Sequence, residues 1–192
     1  IKNKNMEIKI NDTISLTEYR KSDKAALLKY LNDEDIYKNT LSIPHPYIEA
    51  SADFWLNMVF EKYAKIGNKT ELVIRDSKRE QIGGIGRLIL SGLDSHTDEI
   101  GYWLAKPLWH KGIMTQVVSK FTEFCFEEFP LLRIKAKVFI HKIGSRRVLE
   151  KVGFQKEENI RKAYLKDGEL LHAILYYKIK EGKCLDINKF HI

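Results

Sequence analysis

The sequence predicts one mixed α/β (α+β) domain, a mostly antiparallel sheet with helices on both faces. Three observations predict it. Periodic segments follow one another as strand, two helices, three strands, helix, strand, helix and two strands. The strand–helix–strand unit in the middle demands a parallel crossover, because two parallel neighbours cannot be joined by a tight turn. The last two strands flank Asp167-Gly168, a pair suited to closing an antiparallel hairpin.

Residues 14–19 form the first strand. A helix follows, with Ser22 or Asp23 as its N-cap and Ala25, Leu28 and Leu31 on its buried side. Leu41-Ser42-Ile43-Pro44-His45-Pro46-Tyr47 holds two prolines and cannot be regular helix. A second helix over residues 50–63 places Ala52, Trp55, Val59 and Tyr63 along one face. Residues 71–75, 81–90 and 99–104 read as strands. Gly83, Gly84 and Gly86 in the second of these imply a bulge or a close approach of two backbones.

The long helix covers residues 112–129, with Ile113, Val117, Phe121 and Phe124 at helical spacing and Pro130 beyond its end. In 133–140, Arg133, Lys135 and Lys137 alternate with Ile134, Ala136, Val138 and Ile140, a clean strand period. A short helix at 144–152 buries Val148, Leu149 and Val152 and stops at Gly153. Strands at 154–165 and 169–179 complete a single domain over 1–180, followed by a charged, loosely held tail at 181–192.

The 192 residues suffice for one well-buried core. A 44% hydrophobic and 31% charged composition fits a globular chain. No apolar run reaches the roughly 20 residues of a membrane-spanning helix. The polar opening Ile1-Lys2-Asn3-Lys4-Asn5 shows no secretory pattern, and the two cysteines, Cys125 and Cys184, have no metal or redox spacing. The expected location is the cytoplasm, with no membrane partner and a monomeric or homodimeric state. Lys and Arg number 33 against 26 Asp and Glu, a net charge of +7. The surplus is spread evenly, so nucleic acid is not the expected partner, while a polyphosphate ligand gains from the same field. The six histidines form no ligand-like cluster, and no metal is expected.

The chemistry concentrates where a strand runs into a helix. Glu99-Ile100-Gly101-Tyr102-Trp103-Leu104 ends a strand, and Trp109-His110-Lys111-Gly112-Ile113-Met114-Thr115 opens the long helix. The first N–H groups of that helix lack intrahelical partners and its dipole is positive there, so it can seat a phosphate or diphosphate. Lys111 and His110 add charge.

Four stretches, in this order, resemble the GNAT superfamily of N-acetyltransferases, within it the RimJ/RimL-like branch that acetylates ribosomal-protein N-termini. They are Ile43-Pro44-His45-Pro46-Tyr47 with the helix through Trp55-Leu56, the strand Glu99–Leu104, the loop Trp109–Gln116, and Ser145-Arg146-Arg147-Val148-Leu149-Glu150-Lys151-Val152-Gly153-Phe154. The resemblance spans about residues 14–180. It implies a central pair of splayed parallel strands, with acetyl-CoA as co-substrate lying in the gap between them. Ile100, Gly101, Tyr102, Trp103 and Leu104 would hold its pantetheine arm. Trp109, His110, Lys111, Gly112, Ile113, Met114 and Thr115 would hold its diphosphate. A backbone N–H near Tyr102 or Trp103 would stabilise the oxyanion.

The resemblance also implies an amine acceptor, a protein or peptide N-terminus first and a small amine second, attacked directly in a ternary complex. Glu99 matches the family's glutamate, a general base acting through a water; Ser145 matches the serine that protonates the departing thiolate. Tyr102 and Tyr164 are alternative donors. Each residue keeps a plain structural reading, Glu99 as an exposed strand residue or an ion-pair partner and Ser145 as a helix cap. Three positions depart from the pattern. Lys142 replaces an asparagine that holds pantetheine and offers a donor that can reach a phosphate. Met114 replaces alanine or glycine, and Gln116 replaces an acid. A non-catalytic CoA-binding scaffold and a basic RNA- or ribosome-associated protein are the alternatives.

Overall fold

The computed structural model describes residues 6–66, 70–89, 92 and 95–182. Cys184 and all but the first two residues of the expected tail lie outside them. The described chain forms an eight-stranded sheet in the order β1-β2-β3-β4-β5-β6-β8-β7. Its strands are β1 (Glu7–Lys9), β2 (Ser15–Glu18), β3 (Glu71–Arg75), β4 (Gln81–Arg87), β5 (Thr97–Leu104), β6 (Arg133–Phe139), β7 (Gln155–Lys166) and β8 (Glu169–Ile179). Only the β5–β6 pair is parallel among the pairings described, as the crossover requires. Five helices accompany the sheet among the described residues: α1 (Lys24–Leu31), α2 (Glu34–Lys38), α3 (Glu49–Ile66), α4 (Ile113–Glu128) and α5 (Ile143–Lys151).

Alternation in the strands sorts the helices onto two faces. On one, Val117, Phe121, Cys125 of α4 and Leu149 of α5 bury against Leu72, Ile74, Ile100, Ile134, Ala136 and Tyr176. On the other, Leu27 and Leu31 of α1 and Ala52, Leu56 and Val59 of α3 pack on Tyr19 and Val73. Each fully buried aliphatic or aromatic side chain there contributes roughly 1.5–3 kcal/mol relative to exposure. The hairpin turn forms as expected, with Asp167 at φ 51° and Gly168 at φ 81°, the left-handed pair of a two-residue connection.

Three expectations change. The buried face of α1 is Ala26, Leu27 and Leu31, with Ala25 exposed. Asp23 explains the rotation, since its carboxylate turns inward to Arg75 at 2.8 Å and takes no capping bond in α1. The residues three, four and eight places on share that inward face. On α3, Leu56 replaces Trp55 and Tyr63 among the most buried residues; those two lie half-buried beside it. The short β1 and α2 were not expected; α2 is held by Asp33, whose side chain accepts from the N–H groups of Asp35 and Ile36.

The glycines of β4 mark a close approach. A Cβ on Gly83 would lie 2.6 Å from the backbone oxygen of Trp103, so β4 and β5 can only meet there without a side chain. That tight outer pairing of β5 fixes the strand whose other edge forms the site.

Candidate active site

β5 and β6 are ladder partners over three positions only: Thr97 with Arg133, Asp98 with Ile134, and Glu99 with Lys135. Past Glu99, β5 continues along β4 to Leu104, while β6 continues along β8 to Phe139. Each strand keeps its outer partner and the inner edges part, which leaves a forked gap. Leu88 N–H donates to Glu99 O and Ala105 N–H donates to Ile82 O, so the odd residues of β5 turn their polar groups to β4. Alternation then points the N–H groups of Tyr102 and Leu104 into the gap. Of the two oxyanion candidates, Tyr102 faces the gap and Trp103 faces β4. On β6, Ile140 N–H donates to His172 O, so Lys137 and Phe139 are the residues whose N–H groups face the gap.

The amino end of α4 closes the floor. His110 (φ 63°) and Gly112 (φ 75°) are left-handed on either side of Lys111, and no side chain caps the helix. Its first intrahelical bond is Gln116 N–H to Gly112 O, so the N–H groups of Ile113, Met114 and Thr115 remain free of that ladder. Trp109 braces the loop by donating its indole N–H to Leu104 O at 2.8 Å. Met114 is 8% exposed and packs in the core with Val117, so its bulk is mostly turned inward.

The gap and floor belong to one cleft of about 570 Å³ lined by Tyr102, Trp103, Leu104, Trp109, His110, Lys111, Gly112, Ile113, Met114, Thr115, Lys142 and Ser145. The sequence reading missed Arg147 and Lys151, which follow at helical spacing, and Ile36, Asn39 and Thr40 at the end of α2. Glu99, Ile100 and Gly101 do not line it. Ile100 is core beneath α4, Gly101 is exposed, and Glu99 stands at the apex of the fork. Lys111, Lys142, Arg147 and Lys151 line the cleft together with His110 and His141, and among the described residues no Asp or Glu lines it. Such a field favours a polyanion. Burial holds the Lys142 ammonium down at about 8.

Two polar groupings flank the fork. Tyr102 Oη and Ser145 Oγ are 2.8 Å apart, and burial pushes the tyrosine hydroxyl up. Ser145 is the third residue of α5 and bonds to Tyr102 rather than capping the helix. Glu99 is buried, with its carboxylate 3.0 Å from Lys137 Nζ. Its backbone N–H donates to Asp98 Oδ1, and Asp98 is in turn held by the fully buried Arg87 at 2.7 Å. The ion pair with Glu99 pushes the Lys137 ammonium up, and Tyr164 lies near enough to feel both charges.

The acetyltransferase (GNAT) domain pattern matches residues 13–155. The chain belongs to the GNAT family of acetyltransferases. It is 28% identical over 179 residues to a Bacillus subtilis (strain 168) protein named "Putative ribosomal N-acetyltransferase YdaF", covering 89% of this chain and 93% of that one. Among solved structures, the ribosomal L7/L12 α-N-protein acetyltransferase RimL in complex with coenzyme A superposes with a TM-score of 0.78 at 16% identity, covering 91% of this chain and 98% of that chain. The ribosomal-protein-S5-alanine acetyltransferase of Vibrio fischeri gives 0.77 at 20% identity, covering 91% and 96%. At these identities the two structures establish the fold. Among the described residues of this GNAT enzyme, no helix is long and apolar enough to cross a membrane, and no three or more His, Cys, Asp or Glu gather as a metal site.

Proposed function

We propose that this acetyltransferase moves the acetyl group of acetyl-CoA to a primary amine, with a protein or peptide N-terminus as the preferred acceptor. The observation that carries the reading is the strand fork, with N–H groups aimed into a gap above a helix amino end and a wholly basic charged rim. Those features suit an amide-rich arm that bonds like a missing strand and ends in phosphates. Acetyl-CoA supplies an activated acetyl thioester. The Tyr102 N–H holds the thioester oxygen and the negative charge that develops there. Glu99 takes the proton of the acceptor ammonium, which frees the nitrogen lone pair. The C–N bond forms as the C–S bond breaks; the Tyr102–Ser145 pair gives a proton to the departing sulfur and takes the second proton that the nitrogen sheds on becoming an amide, so the products are the amide, the free thiol and a protonated Glu99. The preference for an N-terminus rests on the names of the relatives. Of the two departures that favour the scaffold alternative, Lys142 and Met114, the second loses its force, since Met114 packs in the core.

An acceptor screen tests the reading by following released thiol over N-terminal peptides, polyamines and aminoglycosides. Release above the hydrolytic blank is expected, fastest with peptides; CoA binding without release for any amine contradicts it. Tyr102→Phe and Ser145→Ala are each expected to lower kcat roughly 10- to 100-fold, and the double variant little further, because the two hydroxyls act as one donor. Fully multiplicative losses separate their roles.

Lys142 sets a pH dependence. In the free protein its charge is present below about 8 and lost above. A neighbouring phosphate stabilises the ammonium, so binding takes up a proton above that point. Acetyl-CoA affinity is expected to weaken as pH rises through about 8, and Lys142→Met to flatten the profile. Isothermal titration across that range checks it; an identical slope in the variant removes Lys142 from phosphate binding.

A further inference from the structure

We propose that Lys137 occupies the seat of the acceptor's ammonium, as a resident primary ammonium that an incoming amine displaces from Glu99. The inference rests on the acetyl-transfer reading and deepens it by naming what the acceptor must replace.

Glu99 is the last ladder residue of the parallel pair, so its carboxylate stands where the strands part. Its side chain is 8% exposed and meets Lys137 Nζ at 3.0 Å. A buried carboxylate is costly without a cation, and Lys137 meets that need in the free protein. Lys137 is an alkyl-NH3⁺ group, chemically the same as a protonated N-terminus or a small primary amine. The structure thus already holds a primary ammonium at the group assigned as base.

The lysine is placed to leave. It lies two residues beyond the fork, on the strand face opposite Ala136 and Val138, which pack beneath the helices. Its side chain is 32% exposed, so a rotation of its flexible stem carries the ammonium into water at small cost. One close ion pair is exchanged for another of the same kind, and Glu99 is never left bare. The exchange selects for a primary ammonium, since a fully alkylated one has no N–H to give the carboxylate.

The test reads the lysine itself, by NMR of the 15N-labelled side-chain ammonium groups, with the Lys137 signal assigned by its loss in Lys137→Arg. Titration with n-butylammonium is expected to move the Lys137 signal to the position of exposed lysines in the native enzyme. Tetramethylammonium, equal in charge but without N–H, is expected to leave it in place. A signal unmoved by n-butylammonium, or moved equally by both ions, overturns the proposal. In turnover, Lys137→Met is expected to lower the acceptor KM about tenfold, the resident ion pair no longer having to be displaced, with the acetyl-CoA KM unchanged. A raised acceptor KM also overturns it. If no amine in the screen is acetylated, the transferase reading fails, while the NMR titration still decides on Lys137.

Discussion

Glu99→Gln is expected to lower kcat/KM for the amine by about 10²–10⁴-fold while acetyl-CoA binding stays within about twofold of the native enzyme. The split follows from position. Glu99 is at the apex of the fork and does not line the cleft, so the amide change leaves the gap, the α4 amino end and the basic rim as they are. The side chain keeps its shape and its pairing position opposite Lys135, so the strand does not shift. What it loses is the ability to take a proton from an ammonium, and at neutral pH an amine of ordinary basicity is mostly protonated. Steady-state kinetics with titration of acetyl-CoA measure both halves. A variant of unchanged rate removes Glu99 from the mechanism and leaves the ion pair with Lys137 as its whole role; a variant that also fails to bind acetyl-CoA ties Glu99 to the cleft instead.

Asp23→Ala is expected to cost about 3–5 kcal/mol of stability, a large part of the roughly 5–15 kcal/mol a domain possesses. Arg75 is 2% exposed at its side chain and Asp23 4%, and the two meet at 2.8 Å. The second pair of atoms meets at 2.9 Å, so the contact is a two-pronged fork. Arg75 also donates to Thr17 Oγ1 at 2.5 Å and Glu18 O at 3.0 Å, tying α1, β2 and β3 together. Removing the carboxylate strands a guanidinium in the interior, whereas replacing both partners with apolar groups does not. Asp23→Ala with Arg75→Met is therefore expected to be more stable than Asp23→Ala alone. For a domain of this size the single variant should melt lower by about 6–20 °C. Thermal and denaturant unfolding read the values, and a loss below about 1 kcal/mol, or a double variant weaker than the single, contradicts the burial argument.

Local chemistry made much of the fold legible. Alternation along 133–140, the Asp167-Gly168 turn and the helical spacing of Ile113, Val117 and Phe121 are each written within a dozen or so neighbouring residues. The resemblance to GNAT acetyltransferases added what no local pattern holds, the parting of two strands. The misjudged face of α1 was set by Arg75, which lies far along the chain, and no capping rule contains that partner. α2 escaped notice because five residues are too few for a period to repeat. Arg147 and Lys151 were legible four and eight places on from Ile143, yet they count as cleft residues only once α5 is set beside α4. The pairing of Glu99 with Lys137 crosses from β5 to β6 and depends on strand register, which a single sequence leaves open.

Amide hydrogen exchange with and without CoA tests the central claim most directly, residue by residue along β5 and β6. Protection is expected to rise at Tyr102, Leu104, Lys137 and Phe139, whose N–H groups face the gap, and to stay level at Gly101 and Trp103, already turned to β4. Protection that rises on both sets alike, or on neither while CoA binds elsewhere, contradicts a cofactor arm held between the diverging strands.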